Sequence, residues 1–104
     1  MSIKHLQLDD SASVAFGSIT NTYADLLSLS DDADVLFLWN TTDVTLLFNI
    51  PSGYSTRKSF RLPAGGSCAI DCRTNSKRIA KGVIQVKYAS GAPTFGEATI
   101  TALR

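Results

Sequence analysis

Between residues 35 and 70 the chain is written in short apolar runs. Each run is stopped by turn-forming residues, and no repeat is long enough for a helix. Val35-Leu36-Phe37-Leu38-Trp39-Asn40 is followed by Thr41-Thr42-Asp43, and Val44-Thr45-Leu46-Leu47-Phe48-Asn49-Ile50 by Pro51-Ser52-Gly53. After a polar stretch, Phe60-Arg61-Leu62 meets Pro63-Ala64-Gly65-Gly66, and Ser67-Cys68-Ala69-Ile70 follows. A helix packed on one side repeats its apolar residues every three to four positions, whereas a half-buried strand alternates. Val44, Leu46, Phe48 and Ile50 alternate with Thr45, Leu47 and Asn49. Short runs bounded by Gly, Pro, Asn and Asp mark antiparallel strands of sheets that pack face to face. The pattern predicts an all-β chain, an antiparallel β-sandwich of about eight or nine short strands with no substantial helix.

The flanking sequence extends that grammar. Ile3, His5 and Gln7 alternate with Lys4, Leu6 and Leu8, which predicts an edge strand or N-terminal arm within residues 1–10. Asp9-Asp10-Ser11 reads as a turn. Residues 12–20 read as a strand with Val14 and Phe16 on one face and Gly17 at a bulge or close backbone approach. Residues 23–29 fit a helical turn or a strand, and Thr22, Tyr23 and the following serines favour strand. Ser30-Asp31-Asp32-Ala33-Asp34 reads as an acidic turn, and residues 40–43 as a short hairpin loop between the two apolar runs. Val83, Ile84, Val86 and Tyr88 predict a strong strand, residues 89–96 a loop, and Ala98, Ile100 and Ala102 the inner face of the last strand. With no internal repeat and no linker, residues 1–104 make one domain.

Residues 35–39 are apolar on both faces. A sandwich strand buries one face and wets the other, so this run predicts a covering loop or a neighbouring subunit. Charge points the same way. Only 18% of residues are charged, below the usual ~25%, which predicts surface buried against partners. Residues 1–52 set Lys4 against seven aspartates, and residues 53–104 set nine cations against Asp71 and Glu97. If these halves occupy different faces, the molecule is dipolar and suited to charge-complementary docking. If the strands interleave, the two fields cancel.

The first residues lack the apolar run of a signal peptide, and no stretch approaches the ~18 apolar residues of a spanning helix. Synthesis in a cytoplasm is expected. Cys68 and Cys72 lie four apart, about 13 Å along a regular strand, beyond the ~7 Å a disulfide allows. They read as reduced, half-buried thiols. His5 is the only histidine and there is no second cysteine pair, so neither a zinc site nor a hydrolytic triad is expected. The acidic turn lacks the ordered ligands and turn glycine of a calcium loop. Gly65-Gly66 lacks the lysine of a phosphate loop. The expectation is a protein without catalytic residues, metal or cofactor, and not an enzyme. Nucleic-acid binding is not expected, because the cations of residues 73–81 have no interleaved stacking aromatics. Sugar binding needs an exposed aromatic. Trp39, Tyr54 and Tyr88 are the candidates, and Trp39 and Tyr88, in apolar strands, read as core.

Three phrases carry a resemblance. They are Leu38-Trp39-Asn40-Thr41-Thr42-Asp43, Arg61-Leu62-Pro63-Ala64-Gly65-Gly66-Ser67, and Val86-Lys87-Tyr88-Ala89-Ser90-Gly91-Ala92-Pro93 before Gly96. Residues 36–104, about two thirds of the chain, resemble small virion structural proteins of tailed bacteriophages. The resemblance implies a jelly-roll or β-sandwich protein of the capsid decoration or cement type. Such a protein is located in the virion, typically homotrimeric, and clamps neighbouring major capsid proteins. A neck or tail accessory protein is also compatible, and a carbohydrate-binding or host-recognition module is the alternative. No catalytic residue comes with it. The candidate partner contacts are Val35, Phe37 and Trp39 in the apolar run, Tyr54, Arg57, Lys58 and Arg61 beyond it, and Arg73, Lys77, Arg78 and Lys81 in the second basic stretch.

Overall fold

The alternating runs among the described residues become strands, and every strand is paired antiparallel. The computed structural model describes residues 8–50, 58–71, 79 and 81–103. The strands are β1 (Leu8–Ala15), β2 (Ala24–Leu29), β3 (Val35–Asn40), β4 (Leu46–Ile50), β5 (Lys58–Leu62), β6 (Ser67–Asp71), β7 (Gly82–Tyr88) and β8 (Glu97–Leu103). Among the described residues, helix is confined to a single 3-10 turn, Phe16–Ser18.

Two four-stranded sheets result, sheet A in the order β1-β8-β3-β6 and sheet B in the order β2-β7-β4-β5. The pairing is nested. β4 pairs with β5, β3 with β6, β2 with β7 and β1 with β8. The first four strands and the last four thus behave as the two arms of one long hairpin, bent so that its rungs fall into two sheets. Pairs β3·β8 and β4·β7 complete each sheet. This is the strand order of a jelly roll.

The core follows from the two-residue period. Leu36 and Leu38 lie opposite Ile70 and Cys68 on one side and Ala102 and Ile100 on the other. In sheet B, Leu46 and Phe48 lie opposite Leu62 and Phe60, and opposite Tyr88 and Val86. Leu36, Leu38, Leu46, Phe48, Ile84 and Ile100 are fully buried, each stabilising the fold by roughly 1.5–3 kcal/mol relative to exposure. Residues 23–29 are strand, as the sequence favoured, and Tyr88 packs half-buried against the core.

Several expectations are corrected. Asp9-Asp10-Ser11 is strand, the start of β1, with a register shift between Leu8 and Asp10. β1 is an edge strand, where charged residues are tolerated and discourage further pairing. The strand ends at Ala15, and Phe16, expected to continue the strand on the same face as Val14, is exposed in the 3-10 turn. Gly17 marks no close approach, since a Cβ there would meet nothing within 4 Å. Residues 40–43 form no hairpin, because β3 and β4 belong to different sheets. The acidic turn is only partly solvated. Asp34 is buried, its N–H donates to the Leu103 carbonyl at 2.9 Å, and Ala33 bridges to Ile79.

Residues 1–7, 51–57, 72–78, 80 and 104 lie outside the described residues, and with them the alternation around His5, the polar stretch beginning at Tyr54 and Cys72. The connections β1–β2, β3–β4, β5–β6 and β7–β8 meet at one end of the sandwich. There Phe16 N–H donates to Gly96 O, Asn40 N–H to Gly66 O and Tyr88 N–H to Thr20 O, at 2.8–3.0 Å. Pro63–Gly66 is the expected tight turn. Gly66 N–H donates to Pro63 O at 2.9 Å, and Gly65 at φ 73° takes the position that requires positive φ in a type II turn.

Candidate functional site

Successive side chains of a strand point to opposite faces. In β3 the inward positions are Leu36, Leu38 and Asn40, so Phe37 and Trp39 point out of sheet A. Their rings stack, with centroids 5.9 Å apart and planes at 28°. Trp39 is 39% exposed. This corrects the expectation that Trp39 is core, and its cause is parity: alternation from Leu36 and Leu38 sends Trp39 outward however apolar its neighbours are. Trp39 sits between Ser67 and Thr99, and Phe37 between Ala69 and Thr101. Farther out, the hydroxyls of Ser13 and Thr99 hydrogen-bond at 3.1 Å, and those of Ser11 and Thr101 at 3.3 Å. The aromatic pair therefore stands among small side chains. The strands of sheet A carry Asp9, Asp10, Asp71 and Glu97 and no Lys or Arg.

Sheet B presents a different surface. Asp25, Gln85, Asn49 and Ser59 align in one cross-strand row, and Lys87, Leu47 and Arg61 in the next. Gln85 Nε2 donates to Asp25 Oδ1 at 3.1 Å. The phenol of Tyr23, at the entry to β2, hydrogen-bonds the Ser59 hydroxyl on β5 at 3.1 Å. Since β2 and β5 are the two edges of the sheet, this side chain lies across the face. Lys87 Nζ is 4.7 Å from the centre of its ring, a cation–π arrangement. The strands of sheet B carry Lys58, Arg61 and Lys87 against Asp25 alone.

The candidate contacts are thereby divided. Phe37 and Trp39 come together on sheet A, while Arg61 is exposed on β5 in sheet B. Lys58 begins β5, opposite Ile50. Val35 is buried, 2% exposed, so the chain itself covers this end of the two-faced apolar run and Val35 is no surface contact. Lys81 is exposed at the opposite end from the loop cluster, and its backbone N–H donates to Asp32 Oδ1 at 2.8 Å. Tyr54, Arg57, Arg73, Lys77 and Arg78 lie outside the described residues.

At the loop end, two polar anchors hold the connections. Asn40 is fully buried; its Nδ2 donates to the carbonyls of Val44 at 2.8 Å, Leu62 at 3.0 Å and Pro63 at 3.0 Å. Its Oδ1 accepts from Thr42 N–H at 3.0 Å and Thr42 Oγ1 at 2.6 Å. Asp43 accepts from Thr94 N–H at 2.8 Å and Thr94 Oγ1 at 2.5 Å. The Thr94 hydroxyl, then its N–H, holds the Asp43 carboxyl below its ordinary value. Phe95 beside it is 57% exposed. Asn40 was missed because an asparagine ending an apolar run reads as turn punctuation, although its place at the inward parity of β3 was a usable signal.

Cys68 faces inward on β6, half-buried and free, and burial raises its thiol pKa. Among the described residues no three His, Cys, Asp or Glu side chains gather as metal ligands. Among the described residues, no helix is long and apolar enough to cross a membrane. No protein-family model, curated protein or solved structure matches the chain.

Proposed function

We propose that this chain is a non-enzymatic structural protein of a tailed-phage virion, a capsid decoration or cement protein that oligomerises and bridges major capsid proteins. The observation that carries the reading is the Phe37–Trp39 stack, exposed on the outer face of a sheet without cations. Aromatic side chains at the centre of a patch supply most of the energy of an interface, and charges around them set register. The jelly-roll order is the architecture that the sequence resemblance implied. The test is co-sedimentation with capsids lacking the protein, together with solution mass by light scattering. Binding that is lost in Trp39→Thr supports the proposal. A protein that neither associates nor sediments with capsids refutes it.

A second reading, a carbohydrate-binding or host-recognition module, is favoured by the same tryptophan, since an exposed indole among serine and threonine hydroxyls suits a sugar ring. Trp39 is the only tryptophan in the chain, so its fluorescence reports on that face. A saturable change on titration with host-surface polysaccharide would move the assignment to this reading.

A further inference from the structure

We infer that copies of this chain associate unlike face to unlike face, the outer face of sheet A in one copy docking on the outer face of sheet B in the next. This deepens the proposed function and rests on its claim that the protein oligomerises.

The charges provide the first reason. Among the described side chains, the outward charge of sheet A is Glu97, whereas sheet B turns Arg61 and Lys87 outward against Asp25. Sheet A against sheet A opposes like charges, and sheet B against sheet B does the same. Sheet A against sheet B pairs opposite ones, which steers encounter and fixes register.

The side chains provide the second. The Phe37–Trp39 stack stands exposed on sheet A, and Arg61, Lys87 and Tyr23 stand on the outside of sheet B. Trp, Tyr and Arg are the residue types that dominate interface energies. A guanidinium or ammonium over an indole is favourable, the more so once water is excluded.

Symmetry provides the third. A two-fold dimer brings a patch onto itself, whereas rings and filaments need two different complementary patches. The outer faces of the two sheets lie on opposite sides of the sandwich, so this pairing stacks copies head to tail in an open row.

A face of four strands spaced about 4.8 Å, with six or so residues each, measures roughly 19 Å by 20 Å. That is about 380 Å² from each copy and about 760 Å² in total, below the roughly 1,000 Å² that a stable interface clears, so the association is expected to be weak, concentration-dependent and sensitive to salt.

The experiment uses two full-length variants, each first shown to melt cooperatively. Trp39→Thr disables sheet A, and Arg61→Glu with Lys87→Glu disables sheet B. Wild-type mass by light scattering should rise above the 11.1 kDa protomer with concentration and fall back with salt. Each variant alone should associate at least about tenfold more weakly. Mixed one to one, they retain one intact face each and should form a dimer that grows no further. Variants that both keep wild-type association, or a mixture that stays at protomer mass while the wild type assembles, overturn the inference. A wild type that stays at protomer mass yet sediments with capsids overturns it and leaves capsid binding standing. A mixed dimer whose wild-type parent ignores capsids supports it and overturns the capsid reading.

Discussion

Replacing Asn40 by leucine should be the most damaging single change of a polar residue among the described ones. The side chain is fully buried, and its amide satisfies carbonyls of Val44, Leu62 and Pro63 while receiving both the N–H and the hydroxyl of Thr42. Leucine has the same branched shape and number of side-chain heavy atoms and makes none of these bonds. The Thr42 N–H and the Leu62 carbonyl bond Asn40 in buried surroundings, whereas the bonds to Val44 and Pro63 are only partly buried. Each buried polar group left alone costs about 1–3 kcal/mol, so two cost about 2–6 kcal/mol, centred near 4. Domains of this size hold about 5–15 kcal/mol in total. At about 4–8 °C per kcal/mol the melting temperature should fall by about 16–32 °C. The assay is thermal and urea unfolding followed by circular dichroism. A loss under about 1 kcal/mol would mean that water replaces the amide and that Asn40 ties nothing together. Asn40→Asp sharpens the test, because it keeps the shape but turns acceptor oxygens toward three carbonyls. Its folded-state pKa must lie above the unfolded value of about 3.9. The penalty is then complete above the folded pKa and shrinks as pH falls toward the unfolded one, where a protonated carboxyl can donate.

Three further outcomes are expected. Gly96→Ala should cost at least about 2 kcal/mol, since φ is 87° and a Cβ would lie 2.2 Å from the Thr41 carbonyl oxygen; Gly17→Ala, in open space, should stay within about 0.5 kcal/mol, and equal unfolding midpoints for the two would sink the close-approach account. The Asp43 carboxyl is held below its ordinary pKa by Thr94, so its stabilisation is present above the unfolded pKa and lost as pH falls through the folded one; the melting temperature of Asp43→Asn, measured from pH 6 to 2, should therefore approach that of the wild type in acid. Trp39 fluorescence should be readily quenched by acrylamide in the monomer, and quenching as weak as that of a fully buried indole would contradict the outward parity of β3.

The sheet class was legible because strand period is local. Val44 to Ile50 in alternation need no partner to declare themselves, and the turn at Pro63-Ala64-Gly65-Gly66 announces itself through a glycine that must take positive φ. Pairing was not legible. Nothing in residues 40–43 says that the chain changes sheets there, because that depends on β6 and β8 arriving beside β3. The company Trp39 keeps in sequence suggests core, whereas its fate depends on parity counted from Leu36. The charge contrast between sequence halves was visible, but what matters is how strands are dealt between sheets: β6 and β8, from the basic half, contribute only acids, Asp71 and Glu97. The acids of β1 look like a turn in sequence because strand propensity says nothing of edges.

The nested pairing also prescribes an order of assembly. β4 and β5 are neighbours in sequence and partners in space, while β1 must find β8 from the far end of the chain. Closing a loop costs more as it lengthens. Once β4·β5 has formed, however, β3 and β6 are already brought close, and each outer pair in turn needs only a short closure. The chain can zip from its middle toward its termini, so its long-range contacts need not make it slow. The same geometry leaves β1·β8 as the last rung to close and the first to open. β1, like β2, β5 and β6, is paired only along one edge, and its release leaves β8 still paired with β3.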